Sequence, residues 1–221
     1  LERRIDGLIV ATVASDAAFA QALASLKVPL MLVDRSLDGV TADRVQVDHE
    51  RGAYLATRHL LELGHRRIAC IGGPASTQVV QLRAAGYRRA LAEAKVEALP
   101  VVDCAFTSPA GHAAAQVLLA GDDAPTAIFA GNDMIALGVL RAAAERNVNV
   151  PQQLSVVGFD DIEVSRYLHP ALTTVGQSIG QLGETAAARL LARIRTPGLA
   201  AEQQLIEPTL VLRESSAAPL T

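Results

Sequence analysis

Short apolar runs alternate with helix-like segments along nearly the whole chain, and this alternation restricts the fold more than any other feature. Residues 5–14 and 28–33 are rich in aliphatic and β-branched side chains, with an alanine-rich segment between them. Strands that are apolar on both faces are typical of parallel sheets covered by helices on both sides. The same pattern recurs at residues 67–72, 126–130 and 154–159. These runs predict an α/β protein with parallel sheets flanked by helices.

Helical spacing of apolar residues fills the intervals between these runs. We predict helices over residues 17–26, 49–63, 76–94, 108–119, 132–146 and 180–195, and further strands over residues 44–47, 101–106 and 204–213. Asp16 is placed to cap the first helix, and Gly64 can end the second in a left-handed conformation. The β-α-β order occurs as two similar series, which indicates two lobes.

The composition of the 221 residues argues against several classes of protein. Charged residues make up 19% and the formal net charge is −3, so the chain has no electrostatic footprint for nucleic acid or anionic membranes. No apolar run reaches the ~20 residues that a membrane span requires. Cys70 and Cys104 each lie in an apolar run, which favours reduced thiols in the cytoplasm over a disulfide.

The sequence does not match the common motifs for catalysis, metal binding or phosphate binding. No G-x-S-x-G elbow is present, and the glycines have the wrong spacing for a P-loop or a dinucleotide-binding loop. His59 and His65 are separated by Gly64, whereas a zincin helix needs its two histidines four residues apart. Asp160 and Asp161 could act in acid-base chemistry or hold a divalent ion, but no third oxygen ligand lies nearby. We therefore expect no enzyme activity, no metal and no cofactor.

Four long motifs together resemble one family of bacterial proteins. They are VxxDxxxGAxxATRHLLELGHRRIACIGGP at residues 45–74, RAAGYRRAL at 83–91, PTAIFAGNDMIALGVL at 125–140 and VPQQLSVVGFDDIEVSRYLHPALTTVGQ at 150–177. In this order they resemble the effector-binding domain of the LacI/GalR family of transcriptional repressors, and its ribose-repressor-type members most. The resemblance extends over essentially all 221 residues.

The resemblance implies a type I periplasmic-binding-protein-like fold, with two α/β lobes joined by three crossover strands and an effector held in the cleft. The crossovers are expected near residues 45–48, 174–178 and 207–209. The N-lobe would comprise residues 1–46 and 178–207, and the C-lobe would comprise residues 47–177 and 208–221. By this comparison the sequence lacks the family's helix-turn-helix headpiece. It also lacks the start of the N-lobe, so that lobe is incomplete.

Five residues match ligand-binding positions of the family, namely Arg83, Phe106, Asn132, Asp160 and Gln177. Arg83 offers a rigid fork of donors to ring oxygens or hydroxyls. Asp160 ends a strand, and its carboxylate can accept two hydroxyl groups at once. Phe106 corresponds to an aromatic side chain that stacks on the effector, Asn132 lies in the family's sugar site, and Gln177 follows the second crossover.

Each of these five residues also has a structural explanation. Arg83 could be a solvated helix arginine, and Phe106 could belong to the core. Asn132 could cap the helix that follows it, and Asp160 could stabilise a turn. Gln177 could stabilise the hinge instead of contacting a ligand.

Four further residues have other predicted roles. Asp133 could stabilise the start of the following helix through its dipole, with a ligand contact equally open. Asp161 is expected to cap a short helix. Leu137 and Tyr167 match positions that pack in the family's dimer interface, and an ordinary core role is the alternative for both.

The sequence therefore predicts the ligand-sensing and dimerisation domain of a cytoplasmic, sugar-responsive transcriptional regulator. The resemblance implies a pentose or hexose effector, a homodimer, and allosteric control of operator DNA through the missing headpiece, without membrane contact. Asn132 and Asp160 favour a hydroxyl-rich ligand over a purine. The alternative is a periplasmic solute-binding protein for a sugar, which shares the fold.

Overall fold

The computed structural model describes residues 5–11, 17–34, 37 and 39–220. Contacts along the backbone divide the chain into two compact units. The first unit comprises Leu1–Asp48 and Ser178–Glu207, and the second comprises His49–Gln177 and Pro208–Thr221. The chain therefore passes from one unit to the other after Asp48, Gln177 and Glu207. The two lobes expected from the resemblance stay a prediction.

Within the described residues the chain forms the following strands and helices. In chain order they are β1 (Leu8–Ala11), α1 (Ala17–Ala24), β2 (Leu30–Val33), β3 (Asp43–Val47), α2 (His49–Glu62), β4 (Ile68–Ile71), α3 (Gln78–Glu93), α4 (Ser108–Leu118), β5 (Ala127–Ala130), α5 (Asp133–Glu145), β6 (Ser155–Val157), β7 (Thr174–Gly176), α6 (Ile179–Arg195), β8 (Gln203–Ile206) and β9 (Thr209–Val211). A one-turn 3-10 helix occupies Glu163–Arg166.

The first unit is built on a parallel sheet with the strand order β1-β2-β3-β8. Successive residues of a strand point to opposite faces of the sheet, and β2 shows this directly. Met31 belongs to a buried cluster with Leu190 of α6. Leu32 belongs to a second cluster with Leu23 of α1. The aliphatic runs form these strands because helices remove both faces from water.

Asp43 ties α6 to the sheet of the first unit. This residue begins β3, is fully buried, and accepts hydrogen bonds from Arg189, from Arg193 and from the backbone N–H of Glu202. Burial acts to raise the pKa of the Asp43 carboxyl, but these hydrogen bonds outweigh burial and hold the pKa below its usual value. A buried charge is tolerated at this position because it is paired and hydrogen-bonded.

The second unit contains the parallel sheet β4-β5-β6, which is also covered on both faces. Ile68 of β4 lies in a buried cluster with Leu60 of α2 and Tyr87 of α3. The next residue of that strand, Ala69, lies in a cluster with Ala115 of α4 and residues of α5. The predicted α/β architecture with helices on both sides of parallel sheets is thus confirmed.

An antiparallel pair, β7 and β9, adjoins this sheet. Thr173 forms a bridge to Val157 of β6, and Gly176 forms one to Asp160. The loop that follows β6 is therefore held against β7 by backbone hydrogen bonds.

Two predicted strands differ from the observed ones. Residues 101–106 pair with β4 only at Val102, whose backbone bonds to Cys70 and Gly72. The pairing ends there because Gly73, with φ of 108°, turns the chain out of the β4 line. The tail 204–213 is divided into β8 and β9, since Pro208 carries no N–H and the two halves pair in different units.

Several other local predictions can be compared with the structure. Gly64 follows α2 with φ of 101°, as expected for a glycine that ends a helix. Asp16, expected to cap α1, lies outside the described residues, as do residues 12–14 of the first predicted strand. In the described part of the chain, no helix is long and apolar enough to cross a membrane.

Candidate functional site

The predicted site residues of the second unit follow the carboxyl ends of its strands. Phe106 lies against Gly73, which comes after β4, so that a Cβ on this glycine would collide with the phenyl ring. Asn132 comes after β5, and Asp160 comes after β6. Parallel strands end at the same edge of a sheet, and α/β proteins bind their ligands at that edge.

The guanidinium of Arg83 is the buried centre of this edge. The side chain extends from α3 and is only 5% exposed. Its Nη1 donates to the carbonyl oxygen of Gly131, and its Nη2 lies 3.2 Å from Nδ1 of His49. The guanidinium carbon stands 3.7 Å from the centroid of the Phe159 ring, a close cation–π contact. A solvated helix arginine, the simpler explanation of Arg83, is therefore wrong.

The carboxylate of Asp160 lies next to that guanidinium. Oδ1 of Asp160 is 3.5 Å from Nη2 of Arg83, and it also accepts a hydrogen bond from Nε2 of Gln177. The backbone N–H of Asp160 donates to the carbonyl of Val175 at 2.8 Å, which anchors the residue to β7. The side chain of Asp160 is 24% exposed and that of Arg83 is 5% exposed, so the ion pair is buried at the arginine and partly exposed at the aspartate.

Asp160 also has a backbone conformation that few side chains adopt. Its φ is 117°, a value that non-glycine residues rarely show and that Asp and Asn tolerate better than most. Asp161 has φ of 55°, so two consecutive residues in the turn after β6 are strained. Strain of this kind persists only where surrounding contacts impose it, and it is concentrated at binding sites.

Asn132 caps a helix and Phe106 packs partly in the core, so both have the structural roles given above as alternatives to ligand binding. Oδ1 of Asn132 accepts from the backbone N–H of Ile135 at 2.8 Å, so the helix-cap interpretation is confirmed. The cap uses the oxygen and leaves the two Nδ2 protons for other partners. Phe106 is half-buried against the cluster that includes α4 and α5, so one part of it packs in the core.

Asp133, next to Asn132, is a structural acceptor inside the second unit. It is fully buried and accepts from Oγ1 of Thr174 at 2.5 Å, from Oγ of Ser165 at 2.7 Å and from the backbone N–H of Ile162 at 2.9 Å. Burial raises the pKa of its carboxyl above the usual value, although these hydrogen bonds partly offset that effect. The residue joins α5, the 3-10 helix and β7.

Asp161 does not cap the short helix that follows it, so that prediction is wrong. The 3-10 helix has Ile162 at its cap position and no side-chain cap. Oδ1 of Asp161 instead accepts from Nη2 of Arg213 at 2.5 Å. The ion pair prevails because Arg213 also donates to the carbonyl of Leu172 and is thereby fixed close to Asp161.

His49 belongs to this array and was missed by the sequence analysis. It is the first residue of α2, is 1% exposed, and its ring packs against Phe159 with 5.8 Å between centroids. A polar residue at the start of an amphipathic helix is usually exposed, so the local pattern does not indicate burial. Its contacts with Arg83 and Phe159 come from other parts of the chain, which the local pattern does not reveal.

Leu137 and Tyr167, the predicted interface residues, lie on the outside of the second unit. Tyr167 is 73% exposed, which excludes an ordinary core role, and Leu137 is half-buried on α5. Met134 and Val164 are also exposed apolar residues on the same two elements. The hydrogen bond between Ser165 and Asp133 holds these elements together.

The histidines considered for metal binding hold the C-terminal segment. Nε2 of His59 lies 2.9 Å from Oγ of Ser216, and His65 contacts Oγ1 of Thr126 and the carbonyl of Ala217, both at 2.9 Å. Burial lowers the pKa of both histidines, which favours their neutral forms. Across the described residues, no group of three or more His, Cys, Asp or Glu side chains could hold a metal ion.

A covered parallel sheet with a buried guanidinium and a partly exposed carboxylate at its carboxyl edge is a typical small-molecule-binding domain. A family model described as a periplasmic binding protein-like domain matches residues 57–216. The chain belongs to this family, and its relatives place it with the LacI-family transcriptional regulators. The predicted family and the predicted periplasmic-binding-protein-like fold are thereby confirmed.

Similar proteins of known name are repressors and regulators. The ribose operon repressor of Haemophilus influenzae is 37% identical over 218 residues, which is 97% of this chain and 65% of that protein. The HTH-type transcriptional repressor PurR of Erwinia tasmaniensis is 37% identical over 220 residues, with 98% and 64% covered. This chain thus spans less than two thirds of the length of these relatives.

Solved structures of the same family superpose closely. A LacI family transcriptional regulator from Enterococcus faecium with bound ribose has a TM-score of 0.88 and 32% identity, covering 98% of this chain and 81% of that chain. A LacI transcriptional regulator from a Rhodococcus species has a TM-score of 0.90 and 32% identity, covering 99% and 81%.

Proposed function

We propose that this chain is the effector-binding and dimerisation part of a cytoplasmic, sugar-responsive transcriptional regulator. The observation that carries the proposal is the Arg83–Asp160 pair, buried at one end and open at the other, at the carboxyl edge of a LacI-family domain. The relatives named above are regulators, which supports this function over a solute-binding protein of transport.

The chemistry of the pair favours a neutral ligand with several hydroxyl groups. A guanidinium can only donate and a carboxylate can only accept, so together they match the donor and acceptor of neighbouring hydroxyls. Their charges cancel, and Gln177 and Asn132 add only neutral groups. A pentose or hexose has these properties, and ribose is bound in a similar solved structure. We infer that Arg83, Phe106, Asn132, Asp160 and Gln177 contact such a sugar.

Gln177 offers a direct connection between the ligand and the chain crossings. It is the last residue of the second unit before the chain passes to the first, and its side chain bonds to Asp160. A sugar hydroxyl that donates to Oδ1 of Asp160 competes with Gln177 for this oxygen. It thereby changes the contacts of Gln177, where the chain passes to the first unit. If the sugar binds one arrangement of the two units more tightly, it shifts their population and the affinity of an attached headpiece for operator DNA.

The ligand class can be tested by calorimetric titration of the full chain. We expect D-ribose or another pentose or hexose to bind, whereas hypoxanthine and guanine bind at least about tenfold more weakly, a difference of about 1.4 kcal/mol. We expect the sugars to bind more tightly because the site offers a donor, Arg83, and an acceptor, Asp160, to neighbouring hydroxyl groups. Binding of the purines alone would contradict the sugar assignment.

The homodimer is proposed on the exposed apolar surface around Tyr167. Replacing Tyr167 by aspartate is expected to weaken the dimer by at least about 30-fold, because a large aromatic side chain at an interface is commonly worth about 2 kcal/mol. Sedimentation over a range of concentrations measures this effect. The control is Leu191→Asp on α6, which is 50% exposed. An unchanged Tyr167→Asp dimer would remove this surface from the interface.

A further inference from the structure

His49 is buried and contacts the guanidinium of the Arg83–Asp160 pair. Its Nδ1 lies 3.2 Å from Nη2 of Arg83, the same nitrogen that is 3.5 Å from Oδ1 of Asp160. Two acceptors therefore lie close to one nitrogen of the guanidinium. The imidazole is the nearer of the two, and packing against Phe159 fixes its orientation.

The chemistry of arginine determines the protonation of His49. A guanidinium has no acceptor, so Nδ1 of His49 must contribute a lone pair to this contact and the ring proton must reside on Nε2. A doubly protonated imidazole would place two cations 3.2 Å apart in a site where neither is exposed. The geometry thus requires the neutral tautomer with its proton on Nε2.

We propose that His49 is a positioning residue for the ligand site. By accepting from Nη2, it keeps Arg83 from closing completely onto Asp160, so that the carboxylate remains available to ligand hydroxyls. The guanidinium is then held by Gly131, His49 and Phe159 together. Without the imidazole, Nη2 moves onto the carboxylate, and a closed ion pair competes with the sugar. This role rests on the proposed function of the Arg83–Asp160 pair.

Two variants separate positioning from simple packing. His49→Asn retains an acceptor, because its Oδ1 occupies nearly the place of Nδ1, whereas His49→Leu fills the space without an acceptor. We expect D-ribose to bind His49→Leu at least about tenfold more weakly than the wild type, and His49→Asn within about threefold of it. Calorimetry with the full chain measures both values. Equal weakening in both variants, or none in His49→Leu, would overturn the proposal.

A second measurement needs no ligand. In the ¹⁵N-labelled full chain, Nδ1 of His49 should resonate as an unprotonated nitrogen at neutral pH. The Nη2 protons of Arg83 should have similar chemical shifts in the wild type and in His49→Asn, and clearly different shifts in His49→Leu, where Nη2 bonds to the carboxylate of Asp160. A protonated Nδ1, or equal Nη2 shifts in all three proteins, would overturn the proposal. If D-ribose fails to bind the wild type, the ribose assignment fails, and this second measurement alone decides the role of His49.

Discussion

Replacing Asp160 by asparagine is expected to weaken D-ribose binding by about 100-fold while the fold remains intact. The carboxylate can accept two hydroxyl groups, and hydrogen bonds to a charged group contribute about 1.5–3 kcal/mol each. Asparagine keeps one acceptor and tolerates the unusual φ of 117° better than alanine does. The measurement is the increase in melting temperature caused by D-ribose, which should be nearly abolished at concentrations that stabilise the wild type.

The matched control for this variant is Glu163→Gln. Glu163 is an exposed acidic residue three positions further along the chain, at the start of the 3-10 helix, and its substitution removes the same charge from the chain. It should leave the stabilisation by D-ribose unchanged. A full ligand-induced shift in Asp160→Asn would show that this carboxylate does not bind the sugar, and its contacts with Arg83 and Gln177 would then be structural.

The position of Asp160 could be predicted from sequence because it depends on local rules. An aspartate that directly follows a buried parallel strand must lie at the carboxyl edge of the sheet, whatever the rest of the fold. Arg83 could be placed near it only through the motif resemblance. Its guanidinium contacts Gly131, His49 and Phe159, three residues that come from separate parts of the chain. No periodicity within one helix can indicate contacts of that kind.

The two carboxylates after Gly158 are a second case in which the sequence does not reveal tertiary contacts. Asp160 and Asp161 are adjacent and equally polar, and local sequence does not distinguish their partners. The structure pairs Asp160 with Arg83 and Asp161 with Arg213. Arg213 is 52 residues away and reaches this loop because β9 pairs with β7. The capping prediction for Asp161 was wrong because this tertiary ion pair overrides a local preference.

Asp133 is the acidic residue whose substitution is expected to have the largest effect on stability. Asp133→Ala should lower the free energy of unfolding by about 4 kcal/mol, since each buried donor left without an acceptor costs about 1–3 kcal/mol. The donors are those of Thr174, Ser165 and Ile162. Urea unfolding measures the loss. Asp122→Ala, at an exposed loop position, is the control and should change stability by less than about 0.5 kcal/mol.

The asparagine variant separates the hydrogen bonds of Asp133 from its charge. Because burial raises the pKa of Asp133, the folded protein keeps a proton that the unfolded chain releases near pH ~4. The contribution of this retained proton to the free energy of unfolding is fully present below that pH. It is lost as the pH rises toward and through the raised pKa of the folded protein. Asp133→Asn does not titrate, so its stability relative to wild type should improve as the pH rises above about 4, the ordinary pKa of an aspartate. It should also remain well above Asp133→Ala. A constant difference between wild type and Asp133→Asn would contradict the raised pKa. Equal losses in the two variants would show that the three hydrogen bonds are not what makes this carboxyl necessary.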